Sequence, residues 1–418
     1  WTRACGKERW LHTLEHLTQA IQSISDVDLW ALRTRQCESL VNYVRQRLAY
    51  QLRQHGADRK RLKEAQSVLD SNVLIMGFAR RFTAYKRPNL LLSDPDRLVA
   101  IITNPKYPVQ LVVAGKAHPD DEEGKRLVQQ FISFTEGASL RRRVVFLEDY
   151  DIAVAQQLVQ GVDLWLNTPR RPWEACGTSG MKVLVNGGLN ISELDGWWAE
   201  AYTPEVGWAL GDGQEHAEPA WDMVEADQLY KLLENEIIPE FYNRNELGIP
   251  VPWIARMKAS MSQLAPRFSS NRMLREYVES IYLPATLGFR QRSANSAQTA
   301  KAICWWRNSL ESYWPDLHFG EVQVDLDDNR WIFRVPVYFG ELEPSLVSVQ
   351  LYADSRDGRG PVQIPMTRGG KIPGAVNGYI YRVETEAERP AVQFTPRIVP
   401  AYADVSLPLE ESHILWQK

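Results

Sequence analysis

Cysteine is scarce in this 418-residue chain: Cys5, Cys37, Cys176 and Cys304 are scattered without metal-type spacing. That excludes a disulfide scaffold and suits free thiols in a reducing cytoplasm, with no metal site expected. A lopsided charge is also missing. The 48 Lys and Arg are set against 52 Asp and Glu, a net charge of −4, so there is no basic footprint for nucleic acid. No run of about eighteen apolar residues occurs, which excludes an apolar membrane-spanning helix. Internal repeats and low-complexity tracts are absent as well.

What is present is conventional core material. The apolar share is 44%, and a chain of this length is expected to hold about two or three domains. Fifteen tryptophans can pack cores or stack on sugar rings, and packing is the default. The chain opens with Trp1 inside an amphipathic helical region and no signal-like segment follows. It is therefore expected to be a fragment of a longer protein, the alternative being a processed mature chain.

Residues 1 to about 70 are expected to be helical, with Leu29, Leu32, Leu40, Val41, Val44, Leu48 and Leu52 at helical spacing. His12 and His16 lie four apart without a carboxylate or cysteine companion, and are taken as a solvated pair. From about residue 71 short apolar runs alternate with helical stretches. Residues 73–78, 109–115, 143–147 and 162–166 are expected to be buried strands, separated by helices over 122–135 and 151–160. This pattern predicts a parallel, doubly wound α/β sheet, which binds ligands beyond the carboxyl ends of its strands. Helices follow over 226–245 and 251–283, then a polar connector over 290–298 and a helix holding Trp305 and Trp306. Beyond residue 317, alternation as in 331–338 and 347–352 predicts a small all-β module. Trp331, Tyr338 and Tyr352 are assigned there to core packing.

The strand ends carry the chemistry. After the first strand, Arg80-Arg81-Phe82-Thr83-Ala84-Tyr85-Lys86-Arg87 places four cations in eight residues. Arg81 offers a planar fork for phosphate and Lys86 a point charge; the bland alternative is a solvated basic helix start. After the second strand, Lys116 and His118 are expected to face the same crevice. The third leads into Glu148-Asp149-Tyr150-Asp151. The fourth leads through a proline-stiffened loop to Glu174-Ala175-Cys176-Gly177-Thr178-Ser179-Gly180-Met181-Lys182. There Thr178 or Ser179 can cap a short helix, Gly187 can stop it, and Lys182 is suited to phosphate binding or to Schiff-base chemistry. Convergence of four strand ends favours a phosphate-handling crevice.

These motifs resemble the α-glucan (glycogen, starch, maltodextrin) phosphorylases, in particular the shorter prokaryotic branch. The likeness runs through Gly77–Arg81, Tyr85–Arg87, Ala114–Pro119, Phe146–Asp151, Trp165–Pro169, Glu174–Lys182, Asn186-Gly187 and Leu194–Trp198. The resemblance implies the C-terminal Rossmann-like half of a glycosyltransferase-B fold, followed by a small all-β domain. It divides the chain into a helical tail of a missing first domain (1–70), the Rossmann-like domain (71–265), a helical connector (266–316) and a C-terminal β domain (317–418).

The implied reaction is retaining phosphorolysis of a terminal α-1,4-linked glucosyl unit to α-glucose 1-phosphate. Its partners are an α-1,4-glucan or maltodextrin and orthophosphate, and homo-oligomers are left open. The implied cofactor is pyridoxal 5′-phosphate carried on Lys182, its own phosphate shuttling the proton. By the same resemblance Arg81 clamps substrate phosphate and Lys86 lies near both phosphates. Arg80, Tyr150, Gly177 and Thr178 hold the cofactor, and Glu174, Cys176 and Gly177 bind glucose. Cys176 stands where the family usually has serine. Two other readings are a nucleotide-sugar glucosyltransferase of the same fold, as in glycogen synthase, and a non-catalytic glucan-binding module. The residues of this chain alone are expected to lack phosphorolysis.

Overall fold

The computed structural model describes residues 1–6, 16–216, 220–356 and 360–418; His12 lies outside them. The chain divides into two compact units, Trp1–Arg275 and Glu276–Lys418. The helical residues before 70 belong to the same unit as the sheet, and the division falls within the stretch set aside as a connector.

In the first unit six parallel strands, β1 (Leu74–Ala79), β2 (Val109–Ala114), β3 (Val144–Leu147), β4 (Leu164–Asn167), β5 (Leu189–Glu193) and β6 (Gly207–Leu210), run in the order β3-β2-β1-β4-β5-β6. The α/β expectation is met, and the four expected strands fall within a residue or two of their positions. Strands β5 and β6 were not expected. Leu189-Asn190-Ile191-Ser192-Glu193 alternates apolar and polar residues, yet every one of them is buried.

Burial on both faces explains the near-continuous apolar runs. Along β1, Leu74, Met76 and Phe78 enter one core cluster while Ile75 and Ala79 enter another; Val144 and Phe146 divide from Val145 and Leu147 in the same way. The second cluster is covered by α1 (Asp26–Gln54), through Cys37, Leu40, Val41 and Val44. Arg33 of that helix is buried and pairs with buried Asp163 at 3.0 Å, while Asp163 also accepts the Ile75 N–H at 2.9 Å. This anchors α1 to the start of two central strands.

The second unit contains a helical segment, Leu283–Tyr313, interrupted by non-helical backbone at Ala294–Ala297, inside the expected polar connector. Among the described residues, a four-stranded and a five-stranded antiparallel sheet follow. In Val347–Ala353 burial alternates residue by residue, the period-two pattern of a two-sheet β module. Trp331 packs against this core, but Tyr338 and Tyr352 do not belong to it. Tyr338 stacks on His318 with ring centroids 4.7 Å apart, and Tyr352 packs edge-on to Trp416. Alternation places both tyrosines on the other side of their strands, a parity that hydrophobicity alone did not reveal.

All four cysteines are free. Among the described residues no helix is long and apolar enough to cross a membrane.

Candidate active site

The strand order reverses between β1 and β4, because the chain first runs β1-β2-β3 outward and then returns to add β4-β5-β6 on the other side. Beyond the carboxyl ends of two such strands the following loops part and leave a crevice. Arg80 leaves β1 at this point and Asn167 ends β4. The Arg80 Nη1 donates to Asn167 Oδ1 at 2.5 Å, and the Asn167 Nδ2 donates to Ser192 Oγ at 2.9 Å on β5. Three strand ends are thereby tied together across the switch point.

Glu174 closes the cluster. Its Oε2 accepts from Arg80 Nη2 and, at 2.5 Å, from Lys86 Nζ. Burial works to raise the Glu174 carboxyl, but the Lys86 hydrogen bond and the two neighbouring cations outweigh it and hold the group below the usual range. Burial in turn pulls the Arg80 guanidinium down despite Glu174 beside it. The loop carrying Glu174 is itself pinned: its backbone N–H donates to Asp195 Oδ2 at 2.8 Å, and the other oxygen, Oδ1, accepts the Gly196 N–H at 2.9 Å.

Gly196 is required there. Its φ is +52°, and a Cβ would stand 2.5 Å from the Cys176 carbonyl oxygen and 2.9 Å from that of Glu174. Gly196→Ala is expected to cost about 1–2 kcal/mol for the left-handed backbone, plus displacement of the 174–176 loop. A urea unfolding midpoint unchanged from the parent would refute this. Gly115 is tight for a different reason: a Cβ would lie 2.4 Å from both the Arg80 carbonyl oxygen and the Phe82 ring.

The basic run splits three ways. Arg80 and Lys86 join the Glu174 cluster, with the Lys86 ammonium also 4.6 Å from the Tyr85 ring centroid. Arg81 is exposed and pairs with nothing among the described residues. Arg87, expected with the anion-binding cations, turns inward instead. It pairs with Glu193 at 3.0 Å, with Asp222 at 2.9 Å and with Glu225, and it donates to the carbonyls of Thr168 and Pro169. A left-handed residue at 87, φ 43°, accompanies this turn away from solvent.

Lys182 lies in the last turn of α2 (Ser179–Leu184) and is exposed, with its Nζ 3.4 Å from Thr178 Oγ1. No contact joins it to Glu174 or Arg80 among the described residues. The expected side-chain cap of this helix is absent: Thr178 occupies the capping position with helical backbone angles, and Ser179 Oγ accepts from Trp165 Nε1 at 3.2 Å. That bond docks the helix on β4. Gly187, with φ +84°, ends it as expected.

Gly177 also has positive φ, and Cys176 is half-buried, its carbonyl accepting the Trp197 N–H at 2.9 Å. Tyr150 is half-buried against the second core cluster and close enough to Arg80 for the two ionisations to interact; burial raises the phenol and Arg80 opposes the rise. Lys116 and His118 are both exposed, and His118 Nδ1 accepts the Asp120 N–H at 3.2 Å.

Sequence reasoning did not assign roles to Asn167 and Asp195. A polar residue ending an apolar strand, and an aspartate directly before a glycine-led helix, were the available signals.

These features define an α/β protein whose first unit is a doubly wound parallel sheet with a cation–carboxylate cluster at its switch point. Residues 2–207 match the family model described as carbohydrate phosphorylase. The chain is 36% identical over 394 residues to a glycogen phosphorylase of Mycobacterium tuberculosis, covering 92% of this chain and 46% of that protein. It is 43% identical over 272 residues to a glycogen phosphorylase of Aquifex aeolicus, 65% of this chain and 39% of that one. A maltodextrin phosphorylase of Thermococcus litoralis is 34% identical over 394 residues, 93% and 46% respectively. The chain is thus similar to carbohydrate phosphorylases over most of its residues, and spans less than half the length of these relatives.

Proposed function

We propose that this chain forms the phosphate- and cofactor-bearing half of an α-1,4-glucan phosphorylase of glycosyltransferase-B architecture, acting on glycogen or maltodextrin and orthophosphate. The observation that carries the reading is the Arg80–Glu174–Lys86 cluster at the β1/β4 switch point, in a segment that also presents an exposed lysine on a glycine-flanked helix.

The residues present fit pyridoxal 5′-phosphate. Lys182 is an exposed primary amine that pairs with no carboxylate among the described residues, so its Nζ is open to a carbonyl compound. Arg81, exposed and unpaired among the described residues, offers a guanidinium fork for a phosphate. Lys182 would hold the cofactor through Nζ, with Thr178, Gly177, Tyr150 and Arg80 around it. When bound, the cofactor supplies a phosphate that ionises near neutrality and can exchange a proton with substrate phosphate.

The chain's own residues do the rest. Arg81 and Lys86 orient and neutralise substrate phosphate, and Glu174 with the Cys176–Gly177 backbone holds glucose hydroxyls. Glu174 offsets one of the two positive charges of Arg80 and Lys86, so an arriving phosphate meets a net positive, partly compensated cluster.

The test is to incubate the chain with pyridoxal 5′-phosphate, reduce with borohydride and map pyridoxyl-lysine by mass spectrometry. The label is expected on Lys182 and absent from Lys182→Arg. No label, or label spread over surface lysines, would overturn the reading in favour of a nucleotide-sugar glucosyltransferase or a binding module.

A further inference from the structure

Arg47, Gln51 and His55 stand four residues apart along α1 and its C-cap, so they share one face. All three reach the segment that leaves β3. The Gln51 Nε2 donates to the Phe146 carbonyl at 3.1 Å, and its Oε1 accepts the Glu148 N–H at 3.1 Å. Strand β3 is an outer strand of the sheet, so the amide side chain satisfies a free edge as a neighbouring strand would. His55 Nε2 lies 2.8 Å from the Glu148 carboxylate. Arg47 Nη2 donates to the Glu148 carbonyl at 3.3 Å and stands 3.8 Å from Asp149 Oδ2.

The clamped segment is unusual in its backbone. Asp149 has φ 52°, a left-handed conformation uncommon outside glycine although aspartate tolerates it better than most residues. The next residue is Tyr150, half-buried against the core cluster that α1 covers.

We propose that Gln51 is a positioning residue: by bridging Phe146 and Glu148 it fixes the left-handed step at Asp149 and so sets Tyr150, one of the residues proposed above to hold the cofactor, against the core cluster that α1 covers. The inference rests on the function proposed above. Both ends of the Gln51 amide go to this loop, so an apolar side chain of similar size could fill its volume but not hold the backbone.

The experiment compares the full chain with Gln51→Leu, Tyr150→Ala and the double variant, by two readouts. Amide hydrogen exchange over residues 146–151 needs no cofactor; Gln51→Leu is expected to speed exchange there and leave the central strands unchanged. Absorbance titration with pyridoxal 5′-phosphate is expected to show about tenfold weaker uptake by Gln51→Leu, the effect of losing hydrogen bonds of ordinary strength. In the Tyr150→Ala background the Gln51 change is expected to have no further effect on uptake. Parent-like uptake by Gln51→Leu, the same loss in both backgrounds, or unchanged exchange over 146–151 would each overturn the inference alone. A parent chain that takes up no pyridoxal phosphate overturns the proposed function and this inference with it.

Discussion

An Arg87→Ala chain is expected to lose about 3–5 kcal/mol of folding stability, the range for removing one partner of a buried ion cluster. The guanidinium faces three carboxylates, Glu193, Asp222 and Glu225, and two backbone carbonyls. Glu193 and Glu225 are themselves buried, so alanine leaves acidic groups without a cation and carbonyls without a donor. Burial is the main cause that raises the Glu193 carboxyl, and the charge of Glu225 adds to it. A carboxyl raised in the folded state stabilises fully below the usual glutamate range, and that contribution is lost as pH rises toward the raised value. The parent is therefore expected to lose stability as pH rises from the usual glutamate range toward the raised value, and Glu193→Gln to flatten that decline. Urea midpoints at several pH values check both statements. A loss below about 1 kcal/mol in Arg87→Ala would show the cluster to be worth no more than a surface ion pair.

The second large effect belongs to Glu174. Glu174→Gln keeps the shape and removes the charge that Arg80 and Lys86 share, at a cost of about 3 kcal/mol at neutral pH. The sign with pH is opposite to that of Glu193. Glu174 is held below the usual range, so its contribution is present above the ordinary glutamate value and lost as pH falls through the lowered one. The parent is expected to show a steeper acid decline than the variant. The same change leaves two cations uncompensated at the switch point. Inorganic phosphate is then expected to raise the melting temperature of Glu174→Gln more than that of the parent, because a ligand of the folded state stabilises by mass action. An equal response of both proteins would remove phosphate from the list of ligands for Arg80 and Lys86.

Much of this site was legible in the chain order. A buried strand followed by Arg80-Arg81, and another followed by Asn167 and the Glu174–Lys182 segment, sufficed to place polar groups beyond the carboxyl ends of a parallel sheet. The paired partners were not legible. Four neighbouring cations look equivalent in a line of text, yet Arg87 enters the core and Arg81 stays in water, because backbone direction after a strand decides which side chain faces which layer. Strand β5 was missed for the same reason: Asn190, Ser192 and Glu193 read as polar, and only buried partners such as Gly180, Asn167 and Arg87 make them strand material.

By itself the sequence determined the class of fold, since uninterrupted apolar runs between amphipathic helices can be satisfied only by burial on both faces of a parallel sheet. It also determined the candidate residues and the family likeness, through motifs that are local in the chain. Tertiary structure alone decided which charges neutralise one another. Glu174, Arg80 and Lys86 are brought together across 94 and 88 positions of chain, and the strength of such a cluster depends on distance and burial, neither of which is written in residue order.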